Sequence, residues 1–283
     1  MGVKYWRYEV TIEDGIGLTK RQKGEIDYHR EHARENEAIL NKPFSWDVIE
    51  RPARRWWNAY WQMYAYLASL NLKGKCVLVV GCGFGDDALR LSKLGADVYA
   101  FDLSPDSLSI AKSLAEREGL KISFEEMPAE TLKYGNSFFD IVVARDILHH
   151  VDIPSTMSEI CRVSKPGALF IANEIYSHSL TDLVRHSVLI EKFIYPRMRR
   201  FIYGSRKPYI TKDERKLTEL DIQEICKPLG TLEIKEYFNF LVTRIFPDRY
   251  ETLSKADRIL LIIFSPIAHF LAGRILFSSH IEK

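Results

Sequence analysis

Residues 76–87 read CVLVVGCGFGDD, an apolar, β-branched run that ends in glycines at three alternate positions and then in two acids. A short run of this kind bounded by glycine reads as a buried parallel strand, here Cys76 to Val80. Glycine has no Cβ and tolerates positive φ, so the turn Gly81-Cys82-Gly83-Phe84-Gly85 lets backbone come unusually close to a ligand. Asp86 and Asp87 then open a helix.

Working outward from this turn, the pattern alternates. The reading is helix Asp86 to Leu94, strand Asp97 to Phe101, helix Pro105 to Glu118, and strands Lys121 to Glu125 and Asp140 to Ala144. A helix near Ile153 to Val163 and a strand at Ala168 to Asn173 follow. Beyond Glu174 the regularity stops for about forty residues; it resumes with a helix at Glu219 to Lys227 and strands Leu232 to Val242 and Arg274 to His280. Such alternation predicts an α/β fold, a Rossmann-like, seven-stranded and mostly parallel sheet with helices on both faces.

Residues 1–72 stand apart as an N-terminal helical cap, rich in charge and aromatics, with helices over Lys20 to Leu40 and Arg54 to Leu70. The second of these is aromatic on nearly every face, which predicts burial on more than one side. Residues 73–283 form the main domain. It carries a lid insertion at about 176–218 and an apolar helical insertion at about 244–272, whose helix-like part is Lys255 to Ala272.

With 283 residues the chain can bury a substantial core without disulfide or metal staples, and nothing in the size demands an oligomer. A net charge of +2 gives no global basic footprint, so nucleic acid is not expected as a partner. The four cysteines form no CxxC pair, which argues against a zinc site and a secreted disulfide framework; no metal is expected. With no apolar run of signal-peptide length at the N-terminus, the expected location is cytoplasmic.

The glycine turn admits more than one ligand. A dinucleotide fingerprint needs Gly or Ala at its sixth position so that the helix start can approach the pyrophosphate. Here that position is Asp86, followed by Asp87, and two carboxylates repel a pyrophosphate. S-adenosyl-L-methionine has no phosphate, and acids at a helix start suit the helix dipole. Asp102, at the end of the second strand, can accept both hydroxyls of an adenosine ribose. Ser104 is better placed to cap the helix beginning at Pro105.

These residues carry a resemblance. VLVVGCGFGDDALRLSKLGADVYAFDLSP resembles the first motif and second strand of class I S-adenosylmethionine-dependent methyltransferases. NSFFDIVVARDILHHVDIPSTMSEICRVSKPGALFIANE is similar to the fourth and fifth strand region of their small-molecule, quinone-biosynthesis-like branch. The resemblance covers roughly residues 75–175. It implies S-adenosyl-L-methionine as cofactor, with Gly81, Cys82, Gly83 and Gly85 around its methionine part, Asp102 on the ribose and Leu103 on the adenine. Pro128, Ala129 and Glu130 would border the adenine amine. The family commonly has Asp where this chain has Pro128, so Glu130 or a backbone carbonyl is the candidate acceptor there.

Methyl transfer from a sulfonium is an in-line displacement, and most of the catalysis can come from holding the acceptor in line. A hydroxyl acceptor gains from a base, and His149 and His150 follow strand four at the edge where open α/β sheets bind ligands. Pocket shaping is the competing role for both. Arg145 and Asp146 either line the methionine end of the cofactor or form a surface ion pair. His178 and Tyr176 are weaker candidates for contact with the acceptor.

From Arg185 to Lys216 the chain has ten Lys or Arg and three acids among Phe and Tyr, a mixture suited to an acidic substrate, an anionic membrane surface or nucleic acid. The insertion around Ile259 to Phe264 is too short to span a membrane before Pro266 breaks it. It reads as a buried cap helix or a hairpin resting on lipid. The expected activity is O-methylation, with nitrogen or carbon as the alternative atoms, of a lipid, quinone, saccharide or secondary metabolite; the basic stretch and the apolar insertion together point to an acceptor with a hydrophobic tail or a lipid-linked one, with peripheral membrane contact as a further expectation. A nucleic-acid methyltransferase is disfavoured by Ala144-Arg145-Asp146-Ile147, which lacks the Asn/Asp-Pro-Pro-aromatic motif. A methyltransferase-like binding protein without turnover is the non-enzyme alternative.

Overall fold

The computed structural model describes residues 18–203, 216–243 and 245–282. Residues 204–215 of the basic stretch therefore lie outside the described residues. Helix α1 (Lys20–Asn36) starts at a capping box in which Thr19 and Gln22 satisfy each other's backbone donors. A short α2 (Asp47–Glu50) leads to α3 (Ala59–Ser69). The helix expected from Arg54 begins later, because Pro52–Arg55 closes into a 3-10 turn and Asn58 caps α3 by accepting from Tyr60 N and Trp61 N.

The core alternates as the glycine-bounded strand predicts: β1 (Cys76–Val80), α4 (Asp86–Lys93), β2 (Asp97–Asp102), α5 (Pro105–Arg117), β3 (Ile122–Glu126), β4 (Phe139–Arg145), α6 (Ile153–Val163) and β5 (Ser164–Ile175). After β5, the stretch whose sequence shows no regular pattern is in fact helical, with α7 (Ser179–Arg185) and α8 (Tyr195–Tyr203). Then come α9 (Glu219–Cys226), β6 (Ile234–Phe238), α10 (Glu251–Ile263), α11 (Ala268–Leu271) and β7 (Arg274–His280). The sheet order is β3-β2-β1-β4-β5-β7-β6, with β7 antiparallel to both its neighbours. The seven-stranded, mostly parallel sheet read from the sequence is borne out.

Strand residues alternate between the two faces. Leu78, Val80, Val142, Phe170 and Phe277 pack toward α6 and α9, whereas Val77, Val79, Val143, Ile171 and Leu276 pack toward α3. Met63, Tyr64 and Leu67 of α3 are fully buried there, as its aromatic pattern predicts. A side chain such as Leu67 contributes about 2 kcal/mol by leaving water. What matters for the site is register: Arg145 of β4 stands opposite Asn173 of β5, and Ile175 opposite Arg274 of β7. The ends of three strands thus converge beside the glycine turn.

Candidate active site

The turn after β1 is built by close approaches. Gly81 has φ +61, and a Cβ there would lie 2.5 Å from Ile147 Cγ1, so this glycine lets the loop after β4 close on the turn. Gly83 has φ +52, yet nothing stands within 4 Å of its Cβ direction, which leaves a cradle for a ligand. Asp102 locks the turn: Gly83 N donates to its Oδ2 at 2.8 Å and Ser104 N to its Oδ1 at 2.9 Å. Ser104 caps α5 by accepting from Ser107 N.

A cavity of about 450 Å³ opens against this turn, a size suited to a small-molecule ligand. Its wall includes Gly81, Cys82, Gly83, Asp102, Leu103, Ala129, Glu130, Arg145, His149 and His150. Gly85 is not on that wall; it caps α4 from beneath, where a Cβ would meet Ala111 Cβ at 2.9 Å. Ser107 also lines the cavity, and its buried Oγ has no partner among the described residues, an orphan that an adenosine hydroxyl or ring nitrogen would satisfy. Burial pushes the Cys82 thiol up, so it stays protonated and packs as an apolar wall.

The cavity is roofed by α1, which the sequence shows as a helix but not where it docks. Glu130 accepts from Arg21 Nη2 at 2.7 Å, Gln22 Nε2 at 3.0 Å and Asp152 N at 3.0 Å. This carboxylate is therefore engaged in holding α1 down, with little acceptor capacity left over for an adenine amine. Farther along α1, Glu25 meets His150 Nδ1 at 3.3 Å, and the His32 ring stacks on Phe84 at 5.2 Å. Burial lowers the His32 pKa and favours the neutral, stacked ring.

Arg145 pairs with Asp146 but has a closer and more buried partner. Its Nε donates to the buried Asp87 Oδ2 at 2.6 Å, and Asp87 also accepts from Tyr64 Oη at 2.7 Å and Tyr60 Oη at 3.2 Å. Burial opposes the charge on Arg145, but Asp87 more than offsets it, so the guanidinium is held firmly protonated. Asp146, in the left-handed region at φ +53, lies 3.5 Å from Arg145 and pairs with Arg274 Nη1 at 2.8 Å. Asp87, which reads as a helix-start acid, is thus the anchor that aims a cation along the cavity wall.

The histidines differ. His149 is 6% exposed, and its Nδ1 lies 2.8 Å from Oε2 of the fully buried Glu174. The other oxygen of Glu174 accepts from Ile147 N and Leu148 N, each at 2.8 Å, which fixes the carboxylate. A carboxylate only accepts, so the proton sits on Nδ1 and leaves Nε2 able to take another. His150 instead faces Glu25 of α1, its ring centroid 4.0 Å from that of His149. His178 caps α7 by accepting from Leu180 N and packs on Phe270, away from this wall, and Tyr176 lies beneath α9. Among the described residues no His, Cys, Asp and Glu cluster is arranged to hold a metal.

Comparison with known proteins agrees with this geometry. Residues 78–172 match the family model described as a methyltransferase domain. A ubiquinone biosynthesis O-methyltransferase of Paraburkholderia phymatum is 36% identical, the match covering 41% of this chain and 55% of that protein. One of Cereibacter sphaeroides is 35% identical, over 38% of this chain and 44% of that protein. The chain thus spans about half the length of the curated relatives it matches. In fold it is similar to magnesium protoporphyrin IX methyltransferase from Synechocystis PCC 6803, solved with bound SAH, at TM-score 0.55 and 15% identity over 93% of this chain and all of that one. It is also similar to the cyclase SpnF, at TM-score 0.55 and 18% identity over 93% of this chain and 96% of that one. Sheet order, glycine turn and family match together make residues 78–172 a class I S-adenosylmethionine-dependent methyltransferase domain.

Proposed function

We propose that the chain methylates a hydroxyl of a small, hydrophobic or lipid-linked acceptor, with His149 as base. The observation that carries this reading is His149 on the wall of the cavity that the glycine turn opens, its ring held by the buried Glu174 at 2.8 Å. S-adenosyl-L-methionine is the methyl donor of the family, and the residues present fit it. Asp102 would take the ribose hydroxyls, Leu103 and Ala129 the faces of the adenine, and Ser107 a polar atom of the adenosine. Gly81, Cys82 and Gly83 would border the methionine part, and Arg145 its carboxylate.

When bound, the donor supplies an electrophilic methyl on a sulfonium whose leaving group is a neutral thioether. The chain's own part is to take the acceptor's hydroxyl proton on His149 Nε2 as the oxygen bonds carbon. Glu174 steadies the resulting imidazolium through Nδ1, and α1 shields the site from water. The names of the curated relatives, O-methyltransferases of ubiquinone biosynthesis, support oxygen as the atom methylated.

A membrane surface is where such an acceptor is met. Leu183 is 74% exposed, Val188 64% and Ile263 64%, and α7 joins α11 through a hydrogen bond from Thr181 Oγ1 to Phe270 O. In the sequence, ten Lys or Arg fall between residues 185 and 216, a composition that suits an anionic bilayer face. Among the described residues no helix is long and apolar enough to cross one. Transfer of labelled methyl to a panel of alkylated catechols and hydroquinones, by wild type and His149→Ala, tests the reading. Label in the product for wild type and its loss in the variant are expected; no methylated product from any hydroxyl acceptor would count against it.

A further inference from the structure

Past the end of β5 a second cavity of about 750 Å³ lies between α9, β6 and α10. α9 turns Ile222, Gln223 and Cys226 toward it, and α10 with its continuation turns Leu261, Ile262 and Ser265, the same spacing on both walls. The rings of Tyr176 and Tyr237, 5.6 Å apart, form its floor. Two helices with matching stripes would ordinarily meet in a core. Here they stand apart beside the edge strand and leave a three-sided trough within the usual size range of ligand pockets.

Its chemistry is that of a neutral chain. The walls and floor are mainly apolar, and the charges at the rim are of both signs, Lys235 and Arg258 against Glu219 and Glu236. Arg258 is already committed, donating to Tyr237 O at 2.6 Å and to the Glu236 carboxylate. No net charge is left to select an ionic ligand. Along the chain, the floor of the trough adjoins the residue that holds His149. Tyr176 follows Glu174 by two residues, so it stands on the same side of the strand about 7 Å farther on, and Glu174 holds His149.

We infer that this trough receives the apolar tail, isoprenoid or acyl, of the acceptor whose hydroxyl reaches His149; the inference rests on the methyltransferase reading. A concave site closed on three sides suits a single chain better than a flat protein partner.

The test uses cis-parinaric acid, whose fluorescence rises on leaving water, displaced by the neutral alcohol farnesol. Wild type binds the probe and releases it to farnesol. A Cys226→Trp/Ile262→Trp double variant, which fills the trough, binds it at least about tenfold more weakly. Ile262→Asp, at an exposed position, is also weakened and guards against misfolding of the filled variant. Probe binding equally tight in all three proteins overturns the inference. So does a wild type that binds no probe, including one that is a dimer turned monomeric by Ile262→Asp, which assigns the trough to a second copy. Calorimetry with S-adenosyl-L-methionine on the same samples keeps the two readings apart. Its failure in wild type sinks the donor site, whereas loss of probe binding with donor binding intact reports on the trough alone.

Discussion

Glu174 reaches from the end of β5 to His149 Nδ1 at 2.8 Å across 25 residues of sequence. A buried carboxylate on Nδ1 fixes the ring's tautomer and orientation, so in the proposed reaction Glu174 positions the ring and His149 takes the proton. His149→Ala should lower the single-turnover methylation rate by about 10² to 10⁴-fold. Glu174→Gln keeps an oxygen for the backbone donors and should lower the rate by about 10 to 10²-fold while shifting its pH profile. Neither should weaken binding of S-adenosyl-L-methionine. Full activity in Glu174→Gln with an unchanged pH profile would remove the role.

The glycines of the turn separate folding from ligand binding. Gly81→Ala drives a Cβ to 2.5 Å from Ile147 Cγ1 at φ +61, so it should lower thermal stability by several degrees. Gly83→Ala meets nothing within 4 Å, so it should cost only about 1 kcal/mol of backbone strain while its methyl enters the ligand's space. Melting curves and donor titrations on both variants check this: Gly81→Ala is expected to lose stability chiefly, and Gly83→Ala affinity. The reverse pattern would refute the assignment.

The strands were legible because β-branched runs between glycines are a local signal, and so was the glycine turn. Asp102, Arg145 and the histidines reach the cavity through the parallel register, which alternation of elements predicts. Other parts of the site depend on contacts that no local pattern encodes. Glu174 meets His149 only because Asn173 pairs with Arg145, and Glu25 reaches His150 only once α1 docks. Asp87 looks like a helix-start acid until Tyr60, Tyr64 and Arg145 close around it. The segment after β5 looks irregular because α7 and the turns that lead from it to α8 keep Leu183, Val188 and Phe193 exposed, so burial does not impose a periodic pattern on it. The fold by itself also leaves the reaction open, since a cyclase shares it.

Asp146 ties Arg145 to Arg274 and gives stability a defined pH dependence. Burial alone would raise its carboxyl, but Arg274 and then Arg145 outweigh that and hold it below the usual range. A depressed carboxylate contributes stability fully above its unfolded value, about 3.9, and loses it as pH falls through the lower folded value. Urea unfolding of wild type and Asp146→Asn between neutral pH and about pH 3 should show the wild-type advantage constant at first and shrinking below about pH 4. An advantage that grows on acidification would contradict the pairing.

The proposed membrane contact predicts salt-sensitive co-sedimentation with vesicles containing phosphatidylglycerol, and much weaker binding to phosphatidylcholine alone. Leu183→Asp and Ile263→Asp, both at exposed positions, should each reduce the bound fraction without lowering the melting temperature. Recovery of all protein in the supernatant with anionic vesicles would rule this surface out.

The proposed site for S-adenosyl-L-methionine is the cavity beside Gly81 to Gly83, with Asp102 holding the ribose. Calorimetric titration with S-adenosylhomocysteine tests it without knowledge of the acceptor. Wild type should bind one equivalent, and Asp102→Ala should bind at least about a hundredfold more weakly, having lost a charge-assisted pair of hydrogen bonds to the ribose. Wild type that gives no binding heat, or an Asp102→Ala protein that binds as tightly as wild type, would contradict it.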